Sequence, residues 1–218
     1  MNLLLKTMIN KKKVVSFDVF DTLIERKVET PYDVFDVVGD TVLGQQASGK
    51  FREDRILAEK EARNTSVNGE VTLDEIYAIL SRTYPDTAQM LKDEEINQEI
   101  SLCTTKTNMY PVYEYALKRA CRIVLISDMY LPASVIEKML SKCGINSYSK
   151  LYISNEFGHN KLTGELYDCV IKDIGMNKKD MLHIGDSVKA DLLGARKSGI
   201  QPYLIGRKNR LKRFLSNK

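Results

Sequence analysis

Short apolar runs near both ends of the chain alternate with amphipathic segments and predict an α/β fold. Runs typical of buried strands occur at residues 14–17, 122–127, 151–154, 181–186 and 202–205. Segments with helical periodicity separate the later runs, at residues 132–142, 165–174 and 190–197. This alternation favours a Rossmann-like parallel sheet with helices on both faces.

The chain between the first two of these strands has a different pattern. From Pro31 to about Asn108, apolar residues recur at helical spacing and no stretch reads convincingly as a strand. Thr72 and Glu75 form a capping-box sequence that opens one of the helices. We therefore expect an all-helical block, residues 26–108, inserted into an α/β core of residues 1–25 and 109–218.

Composition sets limits on the class of protein. The chain has 218 residues, 43% hydrophobic and 28% charged, which is ordinary for a soluble globular protein. No apolar run is long enough to span a membrane, and Leu3–Leu5 is too short for a signal-peptide core, so we expect a cytoplasmic protein. The four cysteines contain no CxxC pair, which favours buried hydrophobic roles over a disulfide framework or zinc site.

The net charge of +4 comes from the C-terminal tail. Residues 207–218 carry six basic side chains and no acid, and subtracting them leaves −2 for the rest of the chain. Leu211, Phe214 and Leu215 lie at helical spacing within this tail. A basic amphipathic tail can contact an anionic membrane surface or a protein partner, although a solvated terminal helix is the simpler interpretation. Nothing else favours nucleic-acid binding.

Polar residues stand where three of the predicted strands end: Asp18, Ser127 and Asp186. The carboxyl ends of parallel strands meet at one edge of the sheet, so we expect these side chains to lie close together, with Lys161 in a nearby loop. Paired carboxylates can hold Mg²⁺, while a lysine and a serine can bind a phosphate group. An aspartate in such a site can act as a nucleophile. For Asp18 alone, a strand followed by a turn explains the pattern as well.

Four segments in order resemble the motifs of the haloacid dehalogenase superfamily. They are Asp18-Val19-Phe20-Asp21-Thr22-Leu23, Ser127, Lys161, and Gly185-Asp186-Ser187-Val188-Lys189-Ala190-Asp191. The resemblance extends over residues 14–205 and implies a Rossmann-like core with a helical cap inserted after the first motif. More narrowly, the chain resembles a bacterial group linked to capsule and surface-polysaccharide synthesis, in which related modules can be fused to glycosyltransferases.

The resemblance also implies roles for individual residues. Asp18 would be the nucleophile and would bind Mg²⁺ together with the Phe20 carbonyl and Asp186. Asp191 would support the metal without binding it directly, or would hold Lys161. Ser127 and Lys161 would bind the transferring phosphoryl group. Thr22 would stabilise the nucleophile loop and, with Asp128, contact the substrate.

One position departs from the pattern of the phosphatases in this superfamily. They usually carry a second aspartate two residues after the nucleophile, where it acts as general acid and base, but here that position is Phe20. Asp21 and Asp128 are the candidates to replace it. Their structural alternatives are that Asp21 braces a turn and that Asp128 caps a helix beginning at Pro132. The dehalogenase branch also carries non-acid residues at this position, but it does not need Mg²⁺.

The sequence thus favours a Mg²⁺-dependent phosphatase that acts on a small phosphorylated metabolite such as a sugar phosphate. A catalytically weak phosphate-binding or regulatory module is one alternative, and a dehalogenase or phosphonate-cleaving enzyme is another. Arg26, Arg52 and Arg55 are candidates to meet an anionic substrate. For the latter two, pairing with Glu59 on a solvated helix is the alternative.

Overall fold

The structure, a computed structural model, describes residues 1–206. The basic amphipathic tail, residues 207–218, lies outside the described residues, so its contact with a membrane surface or a partner stays a prediction. None of the helices within residues 1–206 has both the length and the apolar character needed to cross a membrane.

A parallel sheet of five strands forms the centre of the fold. The strands of the described chain are β1 (Val14–Phe17), β2 (Ile24–Arg26), β3 (Cys103–Thr105), β4 (Arg122–Ser127), β5 (Lys150–Ile153), β6 (Met181–Gly185) and β7 (Gln201–Leu204). The central sheet has the order β5-β4-β1-β6-β7, and every neighbouring pair in it is parallel. β2 and β3 form a separate two-stranded sheet.

Helices connect these strands and account for the rest of the regular structure. They are α1 (Leu3–Asn10), α2 (Asp33–Leu43), α3 (Gln45–Thr65), α4 (Leu73–Leu80), α5 (Ala88–Leu102), α6 (Tyr110–Lys118), α7 (Ala133–Lys142), α8 (Ser154–Phe157), α9 (Glu165–Ile174) and α10 (Ala195–Lys197). A 3₁₀ turn at Lys178–Asp180 precedes β6, and a π-helix at Val188–Gly194 leads into α10. The predicted α/β fold with a parallel sheet is confirmed.

Packing divides the chain into two compact units. The first comprises Met1–Glu25, Thr105–Met129 and the described chain from Gly144 onward, and it contains the whole parallel sheet. The second comprises Arg26–Thr104 and Tyr130–Cys143, and its secondary structure is almost entirely helical.

The core of the first unit forms where α9 packs on the sheet. All four residues of β1 are fully buried, as expected for a central strand covered on both faces. Leu166, Tyr167 and Val170 of α9 belong to one apolar cluster with Val14 and Val124 of the sheet. This packing holds both the strand ends and the start of α9 in fixed positions.

The core of the second unit contains a buried cation. Arg55 is fully buried, and its guanidinium donates two hydrogen bonds of 2.8 Å to the carboxylate of Glu95. The rings of Phe35 and Tyr130 lie 4.6 and 4.7 Å from the guanidinium carbon, so the group is bound by aromatic faces as well as by charge. Tyr77 donates a further bond of 2.8 Å to Glu95.

All three candidate arginines are paired with carboxylates. Full burial contradicts a substrate-binding role for Arg55, whereas that role stays a prediction for Arg26 and Arg52. Arg26 makes a bidentate pair with Glu99, at 2.7 and 2.9 Å, and Arg55 is enclosed with Glu95. Arg52, partly exposed, pairs with Asp33 and Asp36. A guanidinium already bound by carboxylates must lose that partner before it can bind another anion.

Several short elements of the described chain were not predicted, among them α1, α8, β2 and β3. α1 and α8 were not expected, because they are only eight and four residues long, respectively, and show less than three turns of helical periodicity. β3 lies in the stretch in which no strand was expected, and its three residues are too few for alternation to be visible. Short elements are fixed by their neighbours rather than by local pattern.

Removing the Arg55 cation should be far more damaging than removing a partly exposed one. We expect Arg55→Met to lower the free energy of unfolding by about 3–5 kcal/mol, because the Glu95 carboxylate stays buried without its counter-ion. Arg55→Met combined with Glu95→Leu should recover most of the loss. Urea unfolding followed by circular dichroism measures both variants.

The matched control is Arg52→Met, which removes a cation with 31% side-chain exposure from the same helix. Its expected cost is below about 1 kcal/mol. Equal costs for Arg55→Met and Arg52→Met would contradict the assignment of Arg55 as a core ion pair.

Candidate active site

Polar residues lie at the carboxyl ends of three neighbouring strands, at one edge of the sheet. Ser127 ends β4, Asp18 directly follows β1, and Asp186 directly follows β6. The parallel register pairs Phe17 with Ile184, and the Asp18 N–H donates to the Ile184 carbonyl at 2.9 Å, which extends the ladder by one residue. Asp18 and Asp186 are each 6% exposed and Ser127 is 1% exposed, so the edge forms a buried polar site.

Lys161 lies at the centre of this site. Its Nζ is 2.6 Å from Asp18 Oδ1 and 2.7 Å from Asp191 Oδ1, and the residue is only 3% exposed. Burial alone would lower the pKa of Lys161, but the two carboxylates outweigh it and raise that pKa well above its usual value. The lysine is therefore a fixed cation that joins the strand-end aspartate to Asp191.

Carboxylates outnumber the cation in this cluster. Asp18, Asp186 and Asp191 each offer one ligand oxygen, and these atoms lie within 4.8 Å of one another. Burial, together with the charges of Asp191 and Asp186, raises the pKa of Asp18 to about 8 against the opposing effect of Lys161. A bound divalent cation would supply the missing positive charge and favour the ionised carboxylates. The all-oxygen donor set therefore fits Mg²⁺, which prefers oxygen ligands.

Asp128 fixes the loop that carries the lysine. Its Oδ1 accepts a hydrogen bond of 2.9 Å from the Lys161 backbone N–H, and the residue is exposed. The structural alternative, in which Asp128 caps the following helix, stays a prediction. That helix, α7, begins at Ala133 and has Pro132, which makes no side-chain capping bond, as its N-cap.

The loop after Asp18 closes in a tight turn. The Val19 carbonyl accepts hydrogen bonds from the N–H groups of Leu23 and Ile24, at 2.9 and 3.1 Å. Asp21 has a φ of +58°, a left-handed conformation in which aspartate is one of the better-tolerated residues. This geometry agrees with a turn-bracing role for Asp21, and an acid–base role stays a prediction. Phe20 is partly buried.

Thr22 is a buried polar residue of the same loop. It is fully buried, and within residues 1–206 its Oγ1 has no hydrogen-bond partner. A buried hydroxyl without a partner is costly in a folded protein. Its predicted roles, stabilising the nucleophile loop and contacting substrate, stay predictions.

His183 is part of this cluster but is not among the site residues that the sequence analysis identifies. His183 lies on β6, fully buried, and its Nε2 is 3.1 Å from Asp191 Oδ1. Its Nδ1 is 2.8 Å from the Oγ of Ser16, which stands directly opposite in the β1–β6 register. The signal was present in the sequence, because Ser16 and His183 are the polar residues inside two otherwise apolar strands.

Two glycines allow the cluster to close. A Cβ placed on Gly185 would collide with the carboxylate of Asp191, and one placed on Gly194 would collide with the carbonyl oxygen of Lys161. Only a residue without a side chain permits these approaches. The Ser187 N–H completes the arrangement by donating to Asp191 Oδ2 at 2.8 Å.

The sequence model of one family covers most of the chain: that of the haloacid dehalogenase-like hydrolases matches residues 12–199. The chain belongs to this family. The predicted superfamily is thereby confirmed, whereas the narrower capsule-linked group stays a prediction. No curated protein matches this hydrolase.

Solved structures show the same fold at low identity. A HAD-hydrolase, YfnB from Bacillus subtilis bound to magnesium, is 16% identical with a TM-score of 0.62, and the match covers 94% of this chain and 99% of that one. A 2-haloacid dehalogenase from Pseudomonas syringae pv. Tomato DC3000 is 15% identical (TM-score 0.64, coverage 88% and 86%). A HAD phosphatase from Thermococcus onnurineus is 16% identical (TM-score 0.61, coverage 90% and 87%). Identities this low show the shared fold alone.

The close approach at Gly194 yields a stability prediction for this hydrolase. We expect Gly194→Ala to lower the free energy of unfolding by about 1–3 kcal/mol, because the added methyl group meets the Lys161 backbone, which cannot move away as a side chain can. Thermal and urea unfolding measure the change.

Gly49→Ala is the matched control. Gly49 lies inside α3, and a Cβ there meets no atom within 4 Å. Since alanine favours helix over glycine by about 0.5–1 kcal/mol, this variant should be slightly stabilised. The steric interpretation of Gly194 is wrong if both alanine variants are equally stable.

Proposed function

We propose that this hydrolase is a Mg²⁺-dependent phosphatase that acts on a small phosphorylated metabolite, such as a sugar phosphate, through an aspartyl-phosphate on Asp18. The observation that carries the proposal is the buried cluster of three carboxylates, two of which form ion pairs with Lys161. A cluster with this excess of negative charge suits a metal-assisted transfer of a phosphoryl group better than the metal-independent chemistry of the dehalogenases.

The reaction would proceed by two displacements at phosphorus. A carboxylate oxygen of Asp18 forms a bond to phosphorus while the ester P–O bond breaks and the alcohol leaves. Water then attacks phosphorus, the bond to Asp18 breaks, and inorganic phosphate is released. Each step requires a proton to move: to the leaving oxygen in the first, and away from water in the second.

The remaining residues would bind and orient the phosphoryl group. Lys161 Nζ already lies against Asp18, so it would meet the oxygens of a group that Asp18 attacks. Ser127 is at the same sheet edge, and its hydroxyl group would donate a hydrogen bond to the phosphoryl group. Asp18, the Phe20 carbonyl and Asp186 would hold Mg²⁺, which supplies neutralisation of the charge on the phosphoryl oxygens.

Other features of the proposal concern where the protein acts and on what. Residues 26–108 would form the cap that selects the substrate, and residues 1–25 with 109–218 the core. A cytoplasmic role in polysaccharide synthesis, with a glycosyltransferase as partner, follows from the narrower resemblance of the motifs. Contact of the basic tail with a membrane surface belongs to the same proposal.

Phosphatase activity should depend on Asp18. With Mg²⁺ and a panel of phosphorylated sugars, Asp18→Asn should lose roughly 10³-fold or more in kcat/KM, because the amide is a poor nucleophile. Rapid acid quenching followed by mass spectrometry of peptides should find a phosphoryl group on the Asp18 peptide of the wild type. Asp168→Asn, an exposed carboxylate on α9, is the control and should keep full activity.

The alternatives give different results in the same experiment. A catalytically weak binding module would show no turnover above the Asp18→Asn background with any substrate of the panel. A dehalogenase would instead release halide from 2-haloacids in the presence of a metal chelator. Either result would overturn the phosphatase proposal.

Restoring an acid at position 20 should reveal what limits the rate. General acid–base help is worth about 10²–10⁴-fold, so Phe20→Asp should raise kcat by up to that factor if the proton donor is what the site lacks. Phe20→Asn, similar in shape but unable to supply a proton, should give no gain. If both variants behave alike, Asp21 or Asp128 already supplies the proton, and Asp21→Asn and Asp128→Asn then tell which.

A further inference from the structure

His183 occupies a position that packing alone does not explain. The residue is fully buried on β6, and the ring of Tyr167 packs edge-on against its imidazole with centroids 4.9 Å apart. Both ring nitrogens nevertheless have polar partners, Ser16 Oγ on one side and Asp191 Oδ1 on the other. A buried imidazole with two fixed partners is held in one orientation and one tautomer.

The partners decide which nitrogen carries the proton. The carboxylate of Asp191 only accepts hydrogen bonds, so the neutral ring must donate from Nε2–H. Nδ1 is then an acceptor, and it accepts a hydrogen bond from the hydroxyl group of Ser16, whose Oγ lies 2.8 Å away. The order of donors therefore runs from Ser16 to His183 to Asp191.

Asp191 is held by three donors from three different segments. Oδ1 accepts from His183 Nε2 at 3.1 Å and from Lys161 Nζ at 2.7 Å, while Oδ2 accepts from the Ser187 N–H at 2.8 Å. Of the three donors, only His183 belongs to a strand of the central sheet. The rigid β6 thereby determines where the Asp191 carboxylate lies, and the carboxylate determines where the Lys161 ammonium lies.

We propose that His183 is a positioning residue: through Asp191 it holds Lys161 Nζ against Asp18, where the lysine meets the transferring group. The proposal rests on the proposed phosphatase function for the identity of that group. The chain of bonds starts at Ser16 and returns to Asp18, which directly follows β1, so one strand fixes both the nucleophile and the support of its lysine. Groups that support a reacting residue in this way are typically worth roughly 10–100-fold in activity or metal affinity.

The expected kinetic effect separates positioning from stability. His183→Leu removes the donor to Asp191 and should lower kcat by roughly 10–100-fold while KM changes little, because Lys161 acts mainly in the transition state. His183→Gln can still donate from its amide nitrogen and should recover most of the loss. Val170→Ala, a truncation in the α9 core, is the control for general destabilisation and should leave kcat unchanged.

The tautomer can be observed without substrate or metal. The chain has two histidines, and His159, with 43% side-chain exposure, can be replaced by asparagine so that His183 gives the only imidazole signals. Nitrogen-15 spectra of the His159→Asn protein should show a neutral ring protonated at Nε2, and adding Ser16→Ala should shift the Nδ1 resonance. A ring that carries its proton on Nδ1 and none on Nε2 would overturn the proposal.

Failure of this proposal differs from failure of the proposed function. If no phosphorylated compound is hydrolysed, the position of Lys161 can still be probed by the rise in melting temperature that inorganic phosphate with Mg²⁺ produces. That rise should be diminished in His183→Leu and kept in His183→Gln. If wild type and His183→Leu agree both in kcat and in this shift, His183 only packs, whatever the reaction is.

Discussion

The ion pairs of Lys161 are the constraint around which the rest of the site is arranged. A lysine that is 3% exposed must keep its counter-ions, since an unpaired buried ammonium would cost several kcal/mol. Asp18 and Asp191 supply them, so Lys161 cannot be placed without placing both aspartates. Neighbouring residues keep Lys161 in this position. Asp128 accepts a hydrogen bond from the Lys161 backbone, and Gly194 leaves room for the Lys161 carbonyl group. The sheet holds Asp18 directly after β1.

The sequence predicted those parts of the molecule that local pattern determines. The apolar runs located the five strands of the main sheet to within one residue at most ends, and the polar residues where they stop identified Asp18, Ser127 and Asp186 as neighbours. The rule that parallel strands share one carboxyl edge was sufficient for this step. It needs no knowledge of side-chain pairing.

Side-chain pairing is what the sequence could not supply. His183 and Asp191 are eight residues apart, and Ser16 joins them only because β1 and β6 pair in one particular register. A shift of one residue would have turned Ser16 to the opposite face of the sheet. Arg55 failed as a predicted surface residue for the same reason: Glu95 is 40 positions away, and nothing in the local pattern indicates that they meet.

The charges buried in the second unit restrict how a cap could recognise its substrate. Arg26 forms an ion pair with Glu99, and Arg55 forms one with Glu95. Breaking either pair would leave a buried carboxylate without its counter-ion, which is strongly destabilising. Recognition by such a cap therefore has to use side chains that are not already satisfied internally, or backbone groups. Under the proposed function, Lys161 and a bound metal would supply buried positive charge to an anionic substrate, so the first unit would contribute affinity for phosphate. Under the proposed function, the cap is left to distinguish one phosphorylated metabolite from another by shape and neutral hydrogen bonds.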